Sequence, residues 1–304
     1  MSVLFTNAGR RNYMIEFAKE TKTKIFVSDS DKLVPCFFLK DIKKILLPKV
    51  RVNNKDYINK LFFKVKKYKI KKIIPLSDHD LVILSQNKNR FKKIDCDVII
   101  SEKNIVRICM NKKLLYDFCI KKGINTPISF FSFKKNFSFP VIKKRIIGSG
   151  SKELDLNVKK QNLRKVNFKK FFLQKKITGT EYGIDLFGDP NKNFINYSIK
   201  QKLLMRSGET DRSKIIIDKK LSKFAEKLIS IFRPYGNIDC DVIRNKSGQI
   251  FLIDVNPRFG GGYPATHLSG KNFLKYILTD GKFIPPKKIT QIYLSKGISL
   301  HKYY

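Results

Sequence analysis

Five polar residues in one short stretch suggest a chemistry: Asp239, Asp241, Asp254, Asn256 and Arg258. They lie in GNIDCDVIRNKSGQIFLIDVNPRFGGGY, residues 236–263. Ile238, Cys240 and Val242 alternate with Asp239 and Asp241, and an apolar run resumes after Asn245-Lys246-Ser247-Gly248. That pattern predicts a β-hairpin. Residues i and i+2 of a strand share a face, so Asp239 goes with Asp241, and Asp254 with Asn256. Pairing across the turn lets the two sets meet. Carboxylate and amide oxygens are hard ligands that suit Mg²⁺, which proteins hold with one or two carboxylates plus substrate phosphates. Mn²⁺ accepts the same donors. The expected metal set is Asp241, Asp254 and Asn256, with Asp239 the rival to Asp241. Arg258 supplies a cation where a transferring phosphate needs one.

Three further stretches carry charge beside small residues. Phe139-Pro-Val-Ile-Lys143-Lys144-Arg145 reads as a strand that delivers Lys143. The loop after it, Gly148, Ser149, Gly150 and Ser151, has the small residues that let backbone N–H groups cradle phosphate oxygens. It is not a Walker A loop, which needs G-x-x-x-x-G-K-[ST]. The second stretch is Gln174-Lys175-Lys176-Ile177-Thr-Gly-Thr-Glu181-Tyr, and the third ends in Arg206-Ser-Gly-Glu209. No Ser/His/Asp arrangement argues for a covalent nucleophile. With three histidines, His-rich metal chemistry is not expected.

The string Asp254-Val-Asn-Pro-Arg-Phe-Gly-Gly-Gly-Tyr-Pro resembles the metal-binding strand of ATP-grasp enzymes, usually E-x-N-P-R. Its Gly-Gly-Gly-Tyr-Pro continuation is similar to the branch that contains the large chain of carbamoyl phosphate synthetase. Asp254 stands where Glu is usual, which keeps the charge and shortens the reach. The resemblance implies roles for the other stretches. Lys112, ahead of Gly123-Ile-Asn-Thr-Pro127, would contact phosphate, with Asn111 in place of the usual Asp. Lys143 would hold the α- and β-phosphates, with Lys144 in place of a usual Pro, and Gly148 to Ser151 would form a lid. Gln174, where Glu is common, would precede a hinge of Lys175, Lys176 and Ile177 that meets adenine through its main chain. Glu181 would bind the ribose. Arg206 would clamp the γ-phosphate or acyl phosphate, which makes Arg206, Arg258 and Lys143 the catalytic cations. His267 is expected to be a structural hydrogen-bonder.

The resemblance also implies an architecture: an α/β chain with a Rossmann-like pre-ATP-grasp domain (1–105), an α+β ATP-grasp domain (106–278) and a C-terminal tail (279–304) packed on the body. The implied activity is a ligase that uses ATP and Mg²⁺ to join a carboxylate to an amine through an acyl phosphate, releasing ADP. The partners would be small molecules, and a homodimer is compatible with this. The alternative is a non-catalytic nucleotide-binding protein, supported by the departures at Asp254, Lys144 and Asn111.

The elements that must position these residues follow the same logic. Short apolar strands at 2–5, 24–28, 45–47, 72–75 and 97–100 alternate with helical stretches at 13–22, 56–68 and from Leu81. This predicts a parallel sheet with right-handed crossovers. Asp29, Asp31, Asp78 and Asp80 fall at strand C-terminal ends, where open α/β sheets place ligands, although caps and loops also use such residues. A chain of 304 residues with 42% hydrophobic content can build such cores. No apolar run approaches a membrane span and no signal-peptide pattern opens the chain, so a cytoplasmic location is expected. The five cysteines show no metal or C-x-x-C spacing and read as reduced and buried. The net charge of +39 would ordinarily suggest nucleic acid. Lysine is spread along the whole chain with abundant Ile, Asn, Phe and Tyr, and alanine occurs only at 8, 18, 225 and 265. That skew fits an AT-rich coding sequence, so no specific nucleic-acid partner is expected.

Overall fold

The computed structural model describes residues 1–50, 54–133, 139–148, 153–206, 208–287 and 289–296. Five parallel strands open the chain: β1 (Ser2–Thr6), β2 (Lys24–Asp29), β3 (Lys43–Leu46), β4 (Lys72–Pro75) and β5 (Asp97–Val98). Their order is β3-β2-β1-β4-β5. Helices α1 (Asn12–Lys19), α2 (Lys55–Lys67) and α3 (Leu81–Lys92) make the crossovers. Leu4 and Phe26 belong to one buried cluster, whereas Val3, Phe5 and Val27 belong to another. Both faces of the sheet are therefore covered, as its apolar strands require. The expected Rossmann-like unit is present. β5 is shorter than the 97–100 expected: the Ile99 N–H still donates to the Ile73 carbonyl at 2.9 Å, and Ile99 and Ile100 stay buried beyond the strand's end.

Two helices follow, α4 (Lys103–Cys109) and α5 (Lys112–Lys121). The division expected at 105/106 falls inside α4. Val106 packs in the core of the first sheet, whereas Ile108 and Cys109 pack in the core of the next unit. A small antiparallel sheet comes next, with β6 (Ser129–Phe130), β7 (Val141–Arg145) and β8 (Phe171–Lys175) in the order β6-β8-β7.

The large sheet holds β9 (Gly179–Asp189), β10 (Phe194–Arg206), β11 (Glu209–Ile215), β12 (Gly236–Asn245), β13 (Ile250–Asn256) and β14 (Tyr293–Ser295). Its order is β13-β12-β9-β10-β11-β14. Helix α6 (Lys219–Phe232) covers one face with Leu221, Ala225, Leu228, Ile229 and Phe232, an i, i+4, i+7 stripe. Asp218 caps it by accepting from the Leu221 N–H at 2.9 Å. Helices α7 (Tyr263–Leu268) and α8 (Phe273–Leu278) lead back to the first unit, where Phe273, Tyr276 and Ile277 share a core with α1. Strand β14 pairs antiparallel with β11. All five cysteines are free and buried. Among the described residues no helix is long and apolar enough to cross a membrane.

Candidate active site

Strand register builds the acidic set. β12 and β13 pair antiparallel with Asp241 opposite Asp254 and Asp239 opposite Asn256. A ladder irregularity just past Asp241 moves Val242 opposite Leu252 and steps over Ile253. Asp239 also faces Asp185 of β9. The expected metal residues do converge, with Asp239 beside them. They line a cleft of about 380 Å³ together with Asn7 to Arg11, Leu76 to His79, Lys202, Glu209 and Arg258. The cleft lies at the C-terminal ends of β1 and β4, where the order of the parallel sheet reverses.

Lysines neutralise the carboxylates one by one. The Lys112 ammonium donates to Asp254 Oδ1, and the Val255 N–H donates to the same oxygen at 2.7 Å. Burial alone would raise the Asp254 carboxyl; the Lys112 charge, joined by that of Lys144, outweighs it and holds the group below the usual range. Lys202 Nζ sits 2.5 Å from Asp241 Oδ1. Burial works against the Lys202 charge, but Asp241 and Asp239 push its pKa up. Among the described residues no lysine pairs directly with Asp239, and its ion pair is with Arg258 at 3.9 Å. Burial, then the Asp241 charge, raises the Asp239 carboxyl to about 6. Asn111 caps α5, accepting from the Lys113 and Leu114 N–H groups at 3.0 and 3.2 Å, so an amide serves there as well as an acid.

The run of three glycines has a steric reason. A Cβ on Gly260 would lie 2.2–2.6 Å from the Asp239 carboxyl group, and one on Gly262 would lie 2.5 Å from the Lys200 side chain. The turn after β13 therefore lies directly against the charged residues of the sheet. Beneath it, fully buried Lys200 pairs with Asp185, which also accepts from Thr266 Oγ1 and from Asn237 Nδ2.

Arg258 is committed between the two units. Its Nε and Nη2 reach Asp78 Oδ1 and Oδ2 at 2.8 and 3.3 Å, and Nη1 lies 3.9 Å from Asp239. Arg11 crosses the same junction, donating to the carbonyls of Leu76 at 2.5 Å and Phe259 at 2.7 Å. The other strand-end acids are local. Asp29 accepts from the Gly9 N–H at 3.0 Å, Asp31 from the Leu33 N–H at 2.8 Å and buried Asp80 from Tyr57 Oη at 2.9 Å. His267 is structural, stacked on Phe17 at 3.6 Å with Nε2 3.0 Å from Glu20.

The small sheet differs from expectation by one residue. Lys143 Nζ sits over the Phe171 ring, 5.1 Å from its centroid, and the Lys143 main chain bridges to Asp155. Lys144 takes the other face, donates to Gln174 Oε1 at 2.9 Å and lies in the field of Asp254, Lys112, Asp241 and Glu181. Lys144 is thus the lysine of this strand that faces the acids. Burial pushes its pKa down. Gln174 is buried and also donates to Ser129 Oγ at 3.0 Å. The N–H groups of Lys175 and Lys176 donate to the Ile128 and Pro140 carbonyls at 2.8 Å, so those two donors are taken. Ile177 is half-buried and Glu181 exposed on β9 opposite Ile243. Gly148 is exposed with φ of +142°, a conformation open to glycine. Ser149, Gly150 and Ser151 lie outside the described residues.

Arg206 does not join the cleft. Its side chain is 63% exposed, and the guanidinium lies 3.6 Å from Asp211. Lys202, on the same strand, is the cation beside the acids. Strand alternation places Lys200 and Lys202 on one face, which is the signal that could have found it. No three of the described His, Cys, Asp and Glu residues form a ready metal cluster. Two carboxylates and an amide oxygen remain a donor set that fits Mg²⁺ when substrate phosphates supply further oxygens.

A family model described as an ATP-grasp domain matches residues 109–262, and one described as a PylC-like N-terminal domain matches residues 3–99. No curated protein matches the chain. The fold is similar to the biotin carboxylase–β-γ-ATP complex from Campylobacter jejuni, with 14% identity, a TM-score of 0.76, and 95% of this chain and 73% of that one covered. It is also similar to the biotin carboxylase domain of Hydrogenobacter thermophilus 2-oxoglutarate carboxylase in complex with MgADP and bicarbonate, with 13% identity, a TM-score of 0.72, and coverage of 94% and 70%. A third similar structure is the L-amino acid ligase from Bacillus licheniformis, with 14% identity, a TM-score of 0.70, and coverage of 93% and 77%.

Proposed function

We propose that this chain, which belongs to the ATP-grasp family, is a ligase that uses ATP and Mg²⁺ to join a small-molecule carboxylate to an amine. The observation that carries this reading is Asp241 opposite Asp254, each held by a lysine, with Lys144 in their field. Two carboxylates and three cations that can exchange partners are what a polyphosphate and its metal require. Lys112, Lys144 and Lys202 would move onto phosphate oxygens as Asp241, Asp254 and Asn256 turn to the metal. Bound there, Mg²⁺ would neutralise phosphate charge and polarise the transferring group.

A substrate carboxylate oxygen then attacks the γ-phosphorus, the bond to the bridging oxygen breaks, and ADP leaves. The amine attacks the acyl carbon of the resulting acyl phosphate, phosphate departs, and the nitrogen loses a proton. Positioning and charge neutralisation supply most of the catalysis in such transfers. The MgADP and bicarbonate named for one structural neighbour, and the ligase activity named for another, support this reading. A panel of acids and amines tests it. ADP and phosphate are the expected products, and hydroxylamine should trap a hydroxamate. AMP and pyrophosphate would refute the acyl phosphate. Asp254→Ala should abolish turnover without loss of the fold, and full activity in that variant would end the metal assignment.

Asp254 in place of the usual Glu favours a second reading, a nucleotide-binding protein without turnover. Saturable MgADP binding with no ADP release across the panel would select it.

A further inference from the structure

Glu209 lines the same cleft, at the start of β11. Three cations from two parts of the chain surround it: Arg10 at 3.8 Å, Arg11 at 3.7 Å and Lys296 at 3.9 Å. All three distances exceed hydrogen-bonding range. Arg11 Nη1 donates instead to the Leu76 and Phe259 carbonyls, and Lys296 Nζ donates to the Gly261 carbonyl. The Glu209 stem lies on Gly261, where a Cβ would come within 3.0 Å of its side-chain carbons. The carboxylate is thus fixed in place while its lone pairs are left to a ligand.

Lys296 reaches this point because the tail adds a strand. Its N–H donates to the Asp211 carbonyl at 2.8 Å, which continues the β11–β14 pairing, and Leu294 anchors the strand beside Ile215 and Ala265. The side chain is 12% exposed and its ammonium sits over Tyr13, 5.2 Å from the ring centroid. Burial pushes its pKa down to about 8 against the pull of Glu209.

We propose that Glu209 receives an N–H of the amine substrate and that Lys296 is a positioning residue that holds Glu209 and the Gly261 turn for it. This rests on the ligase reading. The charge around Glu209, from Arg10 and Arg11 after β1 and Lys296 after β14, disfavours a bound ammonium and favours the neutral amine, which is the form that attacks an acyl phosphate. The site therefore suits weakly basic primary amines.

Thermal shift of the full chain tests this, with and without MgADP, against amines of graded basicity from hydroxylamine and glycinamide to methylamine. Weakly basic amines should raise Tm saturably, and methylamine should not. Glu209→Gln should weaken amine binding on the order of 10- to 100-fold, as loss of a charged hydrogen bond does, while leaving the MgADP shift intact. Lys296→Met should weaken amine binding alone, and Lys296→Arg should restore it. An amine shift that survives Glu209→Gln overturns the proposal, as does a wild type that MgADP stabilises and no amine does. A wild type that MgADP leaves unchanged sinks the ligase reading itself, and the nucleotide-free amine series then decides on Glu209.

Discussion

The β12–β13 hairpin and the β7–β8 pair do the same job with unequal legibility. Both deliver charged side chains into one space by strand alternation. In the hairpin, acids sit two apart on each strand, so each pair shares a face; the turn register alone would set Asp241 opposite Ile253, and the irregularity past Asp241 brings it opposite Asp254. In β7 the candidate Lys143 has a second lysine, Lys144, directly beside it. A one-residue slip sends a strand's side chains to the other face, and two neighbouring lysines give no sign of which face is which. Packing decides it: Val141 and Leu173 enter the lobe's own core and take Lys143 to their side, leaving Lys144 with Gln174. Alternation reports relative facing, and only a fixed contact turns that into absolute direction.

The comparison breaks most sharply at those lysines. Lys144→Ala should lower ADP release on the order of 10²-fold, the typical loss for one electrostatic donor. Lys143→Ala should cost at most about 1 kcal/mol from its cation–π contact and leave turnover within about threefold. The reverse ranking would put Lys143 back in the site. On the hairpin side, Gly260→Ala forces a methyl onto the Asp239 carboxyl and should destabilise the fold by about 1–3 kcal/mol, read as a lower urea midpoint at unchanged slope.

Asp239 sharpens the comparison by pH. Its carboxyl is raised from 3.8 to about 6 by burial and by the Asp241 charge. The folded state therefore holds the proton more tightly, and this group's contribution, full below 3.8, is lost as pH rises through about 6. Without added metal, Asp239→Asn should gain stability over wild type above that window and lose the advantage below it, by urea unfolding across the range. The smallest effect belongs to Arg206. An exposed ion pair contributes about 0–1 kcal/mol, so Arg206→Ala should leave stability and turnover nearly unchanged. A loss in turnover as large as that of Lys144→Ala would restore its clamp role.

Legibility followed local pattern throughout. The parallel sheet, the hairpin and the buried cysteines all rest on short-range regularities. Arg258 bonding to Asp78 joins residues far apart in the chain, and Lys296 reaches Gly261 only because the tail pairs with β11. No spacing rule encodes such meetings. In a chain with 64 lysines and arginines, the type of residue also says little about which ones matter. Lys202 was hidden among its neighbours until Asp241 identified it.

Helix α4 sets how the molecule comes apart. Val106 is a wall of the parallel sheet's core, and Ile108 and Cys109 are walls of the large sheet's core. α8 repeats the arrangement from the far side by packing Phe273 and Tyr276 with residues of α1. Neither core can melt without stripping a wall from the other. Heating should therefore dissolve both in one cooperative transition, with equal calorimetric and van't Hoff enthalpies. The three-stranded lobe, with its own small core of Phe130, Val141, Val158, Leu163 and Leu173, should open below that limit as a separate foldon.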